Sequence, residues 1–336
     1  MSAIRRTFFP GSPWVYIKLY TGEKTADDIL IKVIVPILKK LQKNQRIEKW
    51  FFIRYSDPDF HLRIRLLAND TQHIGEILCL FYQKLHKWNR DNLLWKVQFD
   101  TYNRETERYG KNIIEEAESI FCADSECVLS IIKQLKGNET YRWMIALKLM
   151  DVFLDDFGLS MEEKQKLMDN LSKSFKTEFG FNEFNAKQLN AKFREHKRTI
   201  ESILHDTFTE TAFISLFKPI TKRSKQLIPV VKLIYLKSRK DIEMNELLKS
   251  YIHMMLNRLF RSKNRMHELV LYDFMFRYYS SEIAKEKYNK RKYINEIIGT
   301  NSTKNNFERH INRMSWIILR ENRDGCFFLS LRPANQ

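Results

Sequence analysis

Residues 50–67, WFFIRYSDPDFHLRIRLL, read as two strands joined by a turn. WFFIRY (Trp50 to Tyr55) and HLRIRLL (His61 to Leu67) are rich in aromatic and branched residues, and Ser56-Asp57-Pro58-Asp59 between them is turn chemistry. Side chains alternate along a strand, so His61, Arg63 and Arg65 project from one face.

Upstream, WVYIKLY (Trp14 to Tyr20) has strand character. A helix is predicted over 25–44 from Leu30, Val33, Ile34, Ile37, Leu38 and Leu41, with Pro36 kinking it or marking a boundary. Downstream, a helix covers about 71–89 and LWKVQFDTY (Leu94 to Tyr102) returns as a strand. Beyond Glu105 long periodic segments dominate, at about 111–135, 140–157, 160–176, 187–205, 222–238, 244–260 and 265–288. Ile145, Leu149, Val152 and Phe153 illustrate the spacing. The pattern predicts an α+β protein, with an N-terminal mixed sheet packed against a largely helical remainder. Residues 1–284 are expected to form the main domain and 285–336 a basic extension. In the extension, 285–323 hold ten Lys/Arg against four Glu, GTNSTKNN (299–306) is loop-like, and Asp324-Gly325 signals a hairpin. The extension is expected either to dock an acidic partner or to be a solvated appendage.

The 336 residues suit one large domain or two ordinary ones. With 43% hydrophobic residues, 9 Gly and 7 Pro, disorder and collagen-like repeats are excluded. Lys+Arg 58 against Asp+Glu 41 gives +17, which favours polyanions, acidic peptides or carboxylate-rich substrates. Cys79, Cys122, Cys127 and Cys326 lack CxxC spacing and a nearby His pair, so reduced thiols are expected. There is no signal-peptide pattern and no run of ~20 uncharged residues, which predicts a soluble cytoplasmic protein without a membrane span.

Three segments carry candidate chemistry. His61, Arg63 and Arg65 form either an anion clamp or a solvated face; arginine's fork suits carboxylates. In TYNRETERYG, Glu105 and Arg108 stand three apart and could pair, structurally or as a proton-transfer and orienting unit, with Arg104 beside them as a carboxylate contact or a surface charge. In SYIHMMLNRLF, His253 and Asn257 lie one helical turn apart next to Arg258, a polar patch that needs partners if buried. GxGxxG, GxxxxGK[ST], HExxH, GxSxG and zinc quartets are missing, so neither cofactor nor metal is expected.

In order, PGSPWVYIKLY, WFFIRYSDPDFHLRIRL, TYNRETERYG and HMMLNRLF running into NRMHELVLYDFMFRYY resemble the glutamate-elimination (SpaB C-terminal) domain of class I lanthipeptide dehydratases, over roughly 5–280. The family includes free-standing proteins of thiopeptide and related bacteriocin pathways, and the tail from about Lys285 departs from its pattern. In full-length members an N-terminal domain uses glutamyl-tRNA to esterify Ser or Thr of a precursor peptide. The C-terminal domain then expels glutamate, leaving dehydroalanine or dehydrobutyrine. The resemblance implies half of a split dehydratase, with a separate glutamylation protein and no productive tRNA binding of its own. It implies catalytic roles for Arg63, Arg65, Glu105, Arg108 and His253, with His61, Arg104, Asn257 and Arg258 binding substrate. Which residue is the base stays open, as does a homodimer.

Two other readings compete. A related thiopeptide pyridine synthase joins two dehydroalanines in a formal [4+2] cycloaddition on the same fold; retention of the whole charged set favours elimination. A non-catalytic basic scaffold for an acidic peptide would explain the charge, and no motif supports nucleic-acid binding.

Overall fold

The computed structural model describes residues 4–238 and 243–300, with the two short strands Arg320–Glu321 and Phe327–Phe328. Residues 1–279 form one compact unit and 280–336 a second.

In the first unit, strand β1 (Thr7–Phe8) precedes β2 (Trp14–Thr21). Helices α1 (Glu23–Ile29) and α2 (Val35–Lys43) follow, joined by a π-helical turn over Leu30–Ile34. The expected helix is thus interrupted just before Pro36, which sits in the first turn of α2, where its missing N–H costs least. The hairpin is present as β3 (Ile47–Ser56) and β4 (Phe60–Ala68). Helix α3 (Ile74–Arg90) then leads to β5 (Leu94–Phe99). Asp100 and Thr101 break the strand expected to reach Tyr102: the Thr101 amide donates to the Asp100 side chain at 2.7 Å. β6 (Tyr102–Asn103) therefore pairs separately with β1.

The four-stranded sheet runs β3-β4-β2-β5 and is antiparallel throughout, rather than mixed. A helix between β2 and β3 suggests parallel neighbours, but the hairpin lays β4 between them. The result is a split β-α-β-β-α-β arrangement. Ile17, Leu19, Phe52, Ile64 and Leu66 are buried at the sheet's centre.

The helical remainder comprises α4 (Thr106–Tyr109), α5 (Ile114–Leu135), α6 (Glu139–Asp156), α7 (Met161–Glu178), α8 (Glu183–Leu204), α9 (Thr211–Ile214), α10 (Phe217–Lys237), α11 (Met244–Leu259) and α12 (Asn264–Thr300). α5 and α11 pack against β3, the edge strand. The edge's exposed backbone groups are met by side chains: Ser125 accepts from the Phe52 amide at 3.2 Å, and Arg258 donates to the Phe52 carbonyl at 2.9 Å. The Asn257 amide both accepts from and donates to the Arg54 backbone, each at 2.9 Å. An open edge invites foreign strands, and here the protein closes it with three side chains.

In the second unit, α12 runs past the expected end at 288 to Thr300, so Gly299 and Thr300 of the loop-like stretch are helical. Arg320–Glu321 and Phe327–Phe328 pair antiparallel as β7 and β8. Asp324-Gly325, residues 301–306 and most of the basic extension lie outside the described residues. Among the described residues no helix is long and apolar enough to cross a membrane.

Candidate active site

The β4 register puts His61, Arg63 and Arg65 on one face, opposite Tyr20, Lys18 and Tyr16 of β2 and Tyr55, Ile53 and Phe51 of β3. Arg65 is only 8% exposed, yet among the described residues it has no carboxylate partner, and its Nε has no hydrogen-bond partner. Its guanidinium carbon instead faces the rings of Tyr16, Tyr102 and Phe51 at 4.4, 4.9 and 5.3 Å. Ring faces attract a cation but do not neutralise it. Arg63 is stacked 3.4 Å from the Tyr55 ring centroid, and its Nε donates to His61 Nε2 at 3.0 Å. It too lacks a carboxylate among the described residues. Lys18 pairs with Asp100. Burial raises the Tyr16 phenol above its ordinary value, against the opposing pull of Arg65, Arg63 and Lys18.

His61 is fully buried between these groups, and its Nδ1–H donates to the Asp59 carbonyl at 2.8 Å. Burial lowers its pKa, Arg63 and Lys18 add to that, and the Asp59 carbonyl opposes it. The imidazole is therefore neutral and accepts from Arg63. Arg104, also buried, donates to both Glu118 oxygens at 2.7 Å and to the Arg5 carbonyl at 3.1 Å. Tyr102 donates to the same Glu118 at 2.9 Å, so the Arg104–Glu118 pair fixes one ring of the Arg65 cage.

Glu105 and Arg108 pair across 3.5 Å at the start of α4, both well exposed. Arg108 Nε reaches α11, donating to Ser250 Oγ at 3.0 Å. Ser250, His253 and Asn257 are spaced three and four apart and so share one helix face. His253 thus lies between the Arg108 contact and the Asn257 contact with β3, next to Tyr55. His253 Nδ1 donates to Glu268 Oε1 of α12 at 2.8 Å. Glu268 is fully buried and also accepts from Tyr272 at 3.2 Å, whereas the His253 side chain is 27% exposed. The imidazole is oriented through Nδ1 by a buried carboxylate.

His61, Arg104 and Asn257, expected on the substrate, have their hydrogen bonds within the protein, whereas Arg258 uses only Nε, on the Phe52 carbonyl, and its two terminal nitrogens have no hydrogen-bond partner among the described residues. His61 positions Arg63, Arg104 positions the cage, and Asn257 and Arg258 seal the β3 edge. Arg258 is fully buried 5.2 Å from the Phe121 ring. Glu268 escaped the sequence reading. Its signal is a carboxylate followed at i+4 by Tyr272 inside the apolar run of HELVLYDFMF.

The model of the family described as Lantibiotic biosynthesis dehydratase C-term matches residues 14–279. The chain belongs to that family. Nisin biosynthesis protein NisB of Lactococcus lactis subsp. lactis is 25% identical over 294 residues, covering 85% of this chain and 27% of NisB. The chain spans between 17% and 27% of the length of the curated relatives it matches. The fold is similar to that of the tRNA dependent lantibiotic dehydratase MibB from Microbispora sp. 107891, with TM-score 0.65 and 20% identity over 83% of this chain and 29% of MibB. It is also similar to the pyridine synthase TbtD from thiomuracin biosynthesis, with TM-score 0.58 and 9% identity over 80% of this chain and 99% of TbtD. This dehydratase C-terminal chain therefore joins a family fold to a charged sheet face and an oriented histidine.

Proposed function

We propose that this chain eliminates glutamate from glutamylated Ser or Thr of a ribosomally made precursor peptide in the cytoplasm, yielding dehydroalanine or dehydrobutyrine. A separate protein would install the ester. The observation that carries the reading is Arg65, buried without a carboxylate among the described residues in a family of dehydratase C-terminal domains. An uncompensated buried cation is costly, and an incoming carboxylate supplies the missing charge.

In the reaction, a base takes the α-proton, that electron pair forms the Cα=Cβ bond, the Cβ–O bond breaks, and glutamate leaves as a carboxylate. Arg65 and Arg63 bind the glutamyl carboxylates and stabilise the enolate-like charge as it develops. His253, held by Glu268, takes the proton. The Glu105–Arg108 pair orients the ester from the far side.

The pyridine-synthase reading is favoured by one observation, the 99% coverage of TbtD. Incubation with a glutamylated peptide and, separately, with a dehydrated peptide tests both. The expected result is loss of glutamate from the first, read by mass spectrometry. Macrocyclisation of the second with no action on the first would overturn the assignment.

A further inference from the structure

The edge of the sheet far from β3 is built differently. β5 is unpaired on its outer side among the described residues; Asn89 meets its first residue, donating to the Leu94 carbonyl at 2.8 Å, and over 95–99 no side chain among the described residues meets its backbone as Ser125, Asn257 and Arg258 meet β3. Trp95, Val97 and Phe99 alternate along β5 and are 53%, 41% and 42% exposed, and Tyr82 of α3 beside them is 74% exposed. Between α3 and β5 runs a groove of about 790 Å³ lined also by Cys79 and His86. Exposed apolar surface of this kind, next to a free strand edge, marks an interaction site.

Charge selects the occupant. Among the described residues no carboxylate lines the groove. Lys96 at its lip stands 4.8 Å from the Tyr20 ring centroid without an ion-pair partner among the described residues, while the nearby acids are committed, Glu76 to Arg46 at 2.8 Å and Asp91 to Arg90 at 3.3 Å. A second copy would bring a like-charged edge and another +17 chain against the first.

We infer that β5 captures an acidic peptide in extended conformation, which adds as a fifth strand. Alternate apolar side chains enter the α3–β5 groove, and the carboxylates between them point to the other face of the new strand, where Lys96 stands against the Tyr20 ring. The apolar groove lies on the sheet face opposite the β4 cations, which only Lys96 borders through Tyr20, and its occupancy is read by binding whether or not the elimination assay succeeds.

The test uses the full chain and synthetic ten-residue peptides. One alternates Leu and Glu, one alternates Leu and Lys, and a third is the Leu-Glu peptide N-methylated at every second residue. Amide hydrogen exchange over 95–99 and fluorescence anisotropy are the readouts. The Leu-Glu peptide is expected to protect the β5 amides, with the other two binding at least about tenfold more weakly, the loss of roughly 1.4 kcal/mol. Val97→Lys should weaken binding by a similar factor at unchanged Tm; Tyr82→Ala, on the helix, serves if that variant fails to fold. Equal binding of the Leu-Glu and Leu-Lys peptides, absence of β5 protection, or a wild-type dimer in sedimentation that Val97→Lys dissolves would each overturn the inference.

Discussion

Arg54 on β3 and Arg65 on β4 are both buried, at 2% and 8% exposure, and on neighbouring strands, yet they meet opposite fates. Arg54 faces the Asp27 carboxylate of α1 at 2.6 Å, and Arg142 and Arg261 converge on the same aspartate at 2.8 and 2.7 Å. Arg54 and Arg142 also donate to the Arg258 and Leu259 carbonyls, at 3.0 and 2.5 Å, so the cluster ties the end of α11 to α1 and α6. Arg65 has aromatic rings and, among the described residues, no carboxylate. On the proposed function the difference separates scaffold from site: where a carboxylate completes the charge the arginine holds the fold, and the arginine without one among the described residues is the one assigned to a ligand.

The harshest way to break this contrast is at Asp27. Asp27→Ala leaves three guanidiniums around an empty position, and breaking a buried pair in this way costs about 3–5 kcal/mol. Urea denaturation checks it; a loss under about 1 kcal/mol would dissolve the distinction. Burial would raise the Asp27 carboxyl, but Arg54, Arg142 and Arg261 outweigh it and hold the carboxyl below its ordinary value. Its stabilisation is therefore present above about pH 3.8 and is lost as pH falls through the lower folded value. The acid limb of wild-type stability should flatten in Asp27→Asn.

Arg65→Met should do the reverse. The cage is apolar and the charge uncompensated, so stability is expected to change by less than about 1 kcal/mol or to rise. Elimination should fall by about 10²-fold or more, as when a positioned charge-stabilising donor is removed. The glutamylated intermediate would accumulate in mass spectra. Normal dehydration by this variant, or destabilisation matching Asp27→Ala, would remove Arg65 from the site.

The hairpin, the shared face of His61, Arg63 and Arg65, and the helical remainder were legible because strand alternation and helical period are local. The antiparallel order was not, since nothing in the sequence says that β4 inserts between β3 and β2. The helix over 71–89 and six of the seven downstream segments fell within about five residues of their observed limits, while the last, expected to end at 288, runs on to Thr300. Within the site, what stayed hidden was pairing. Arg104 and Arg65 look alike in sequence, and only Glu118, fourteen residues from Arg104 on another element, closes one of them. Asn257 and Arg258 read as a polar patch because the Phe52 and Arg54 backbone they serve is about two hundred residues away.

A sharper probe asks whether His253 is placed by Glu268. Glu268→Gln keeps a hydrogen-bonding side chain but removes the carboxylate, so elimination should drop by about 10- to 100-fold, less than the ~10²–10⁴-fold of losing the base in His253→Ala. The loss should fall on kcat with KM little changed, because the substitution disturbs the orientation of the base and no contact with the peptide. A loss confined to KM, or none, would leave Glu268 a structural acid only.

The smallest effect concerns His61, the neutral acceptor behind Arg63. Its pKa lies below 6.5 in the folded protein, through burial first and then Arg63 and Lys18. For a histidine so depressed, the unfolded chain takes the proton first: stability is complete above about pH 6.5, falls as pH drops toward the folded value, and levels off below it. His267, stacked on Phe260 and likewise lowered by burial, acts in the same direction, so the comparison needs His267→Gln as the background. Against that background, Tm followed from pH 7.5 to 5 should decline more steeply with His61 present than in His61→Asn. Protonation also turns Nε2 from an acceptor into a donor facing the Arg63 guanidinium, so substrate affinity should weaken over the same window in the parent and less in the variant. Parallel curves would mean that His61 is held by packing alone and that Arg63 does not depend on its lone pair.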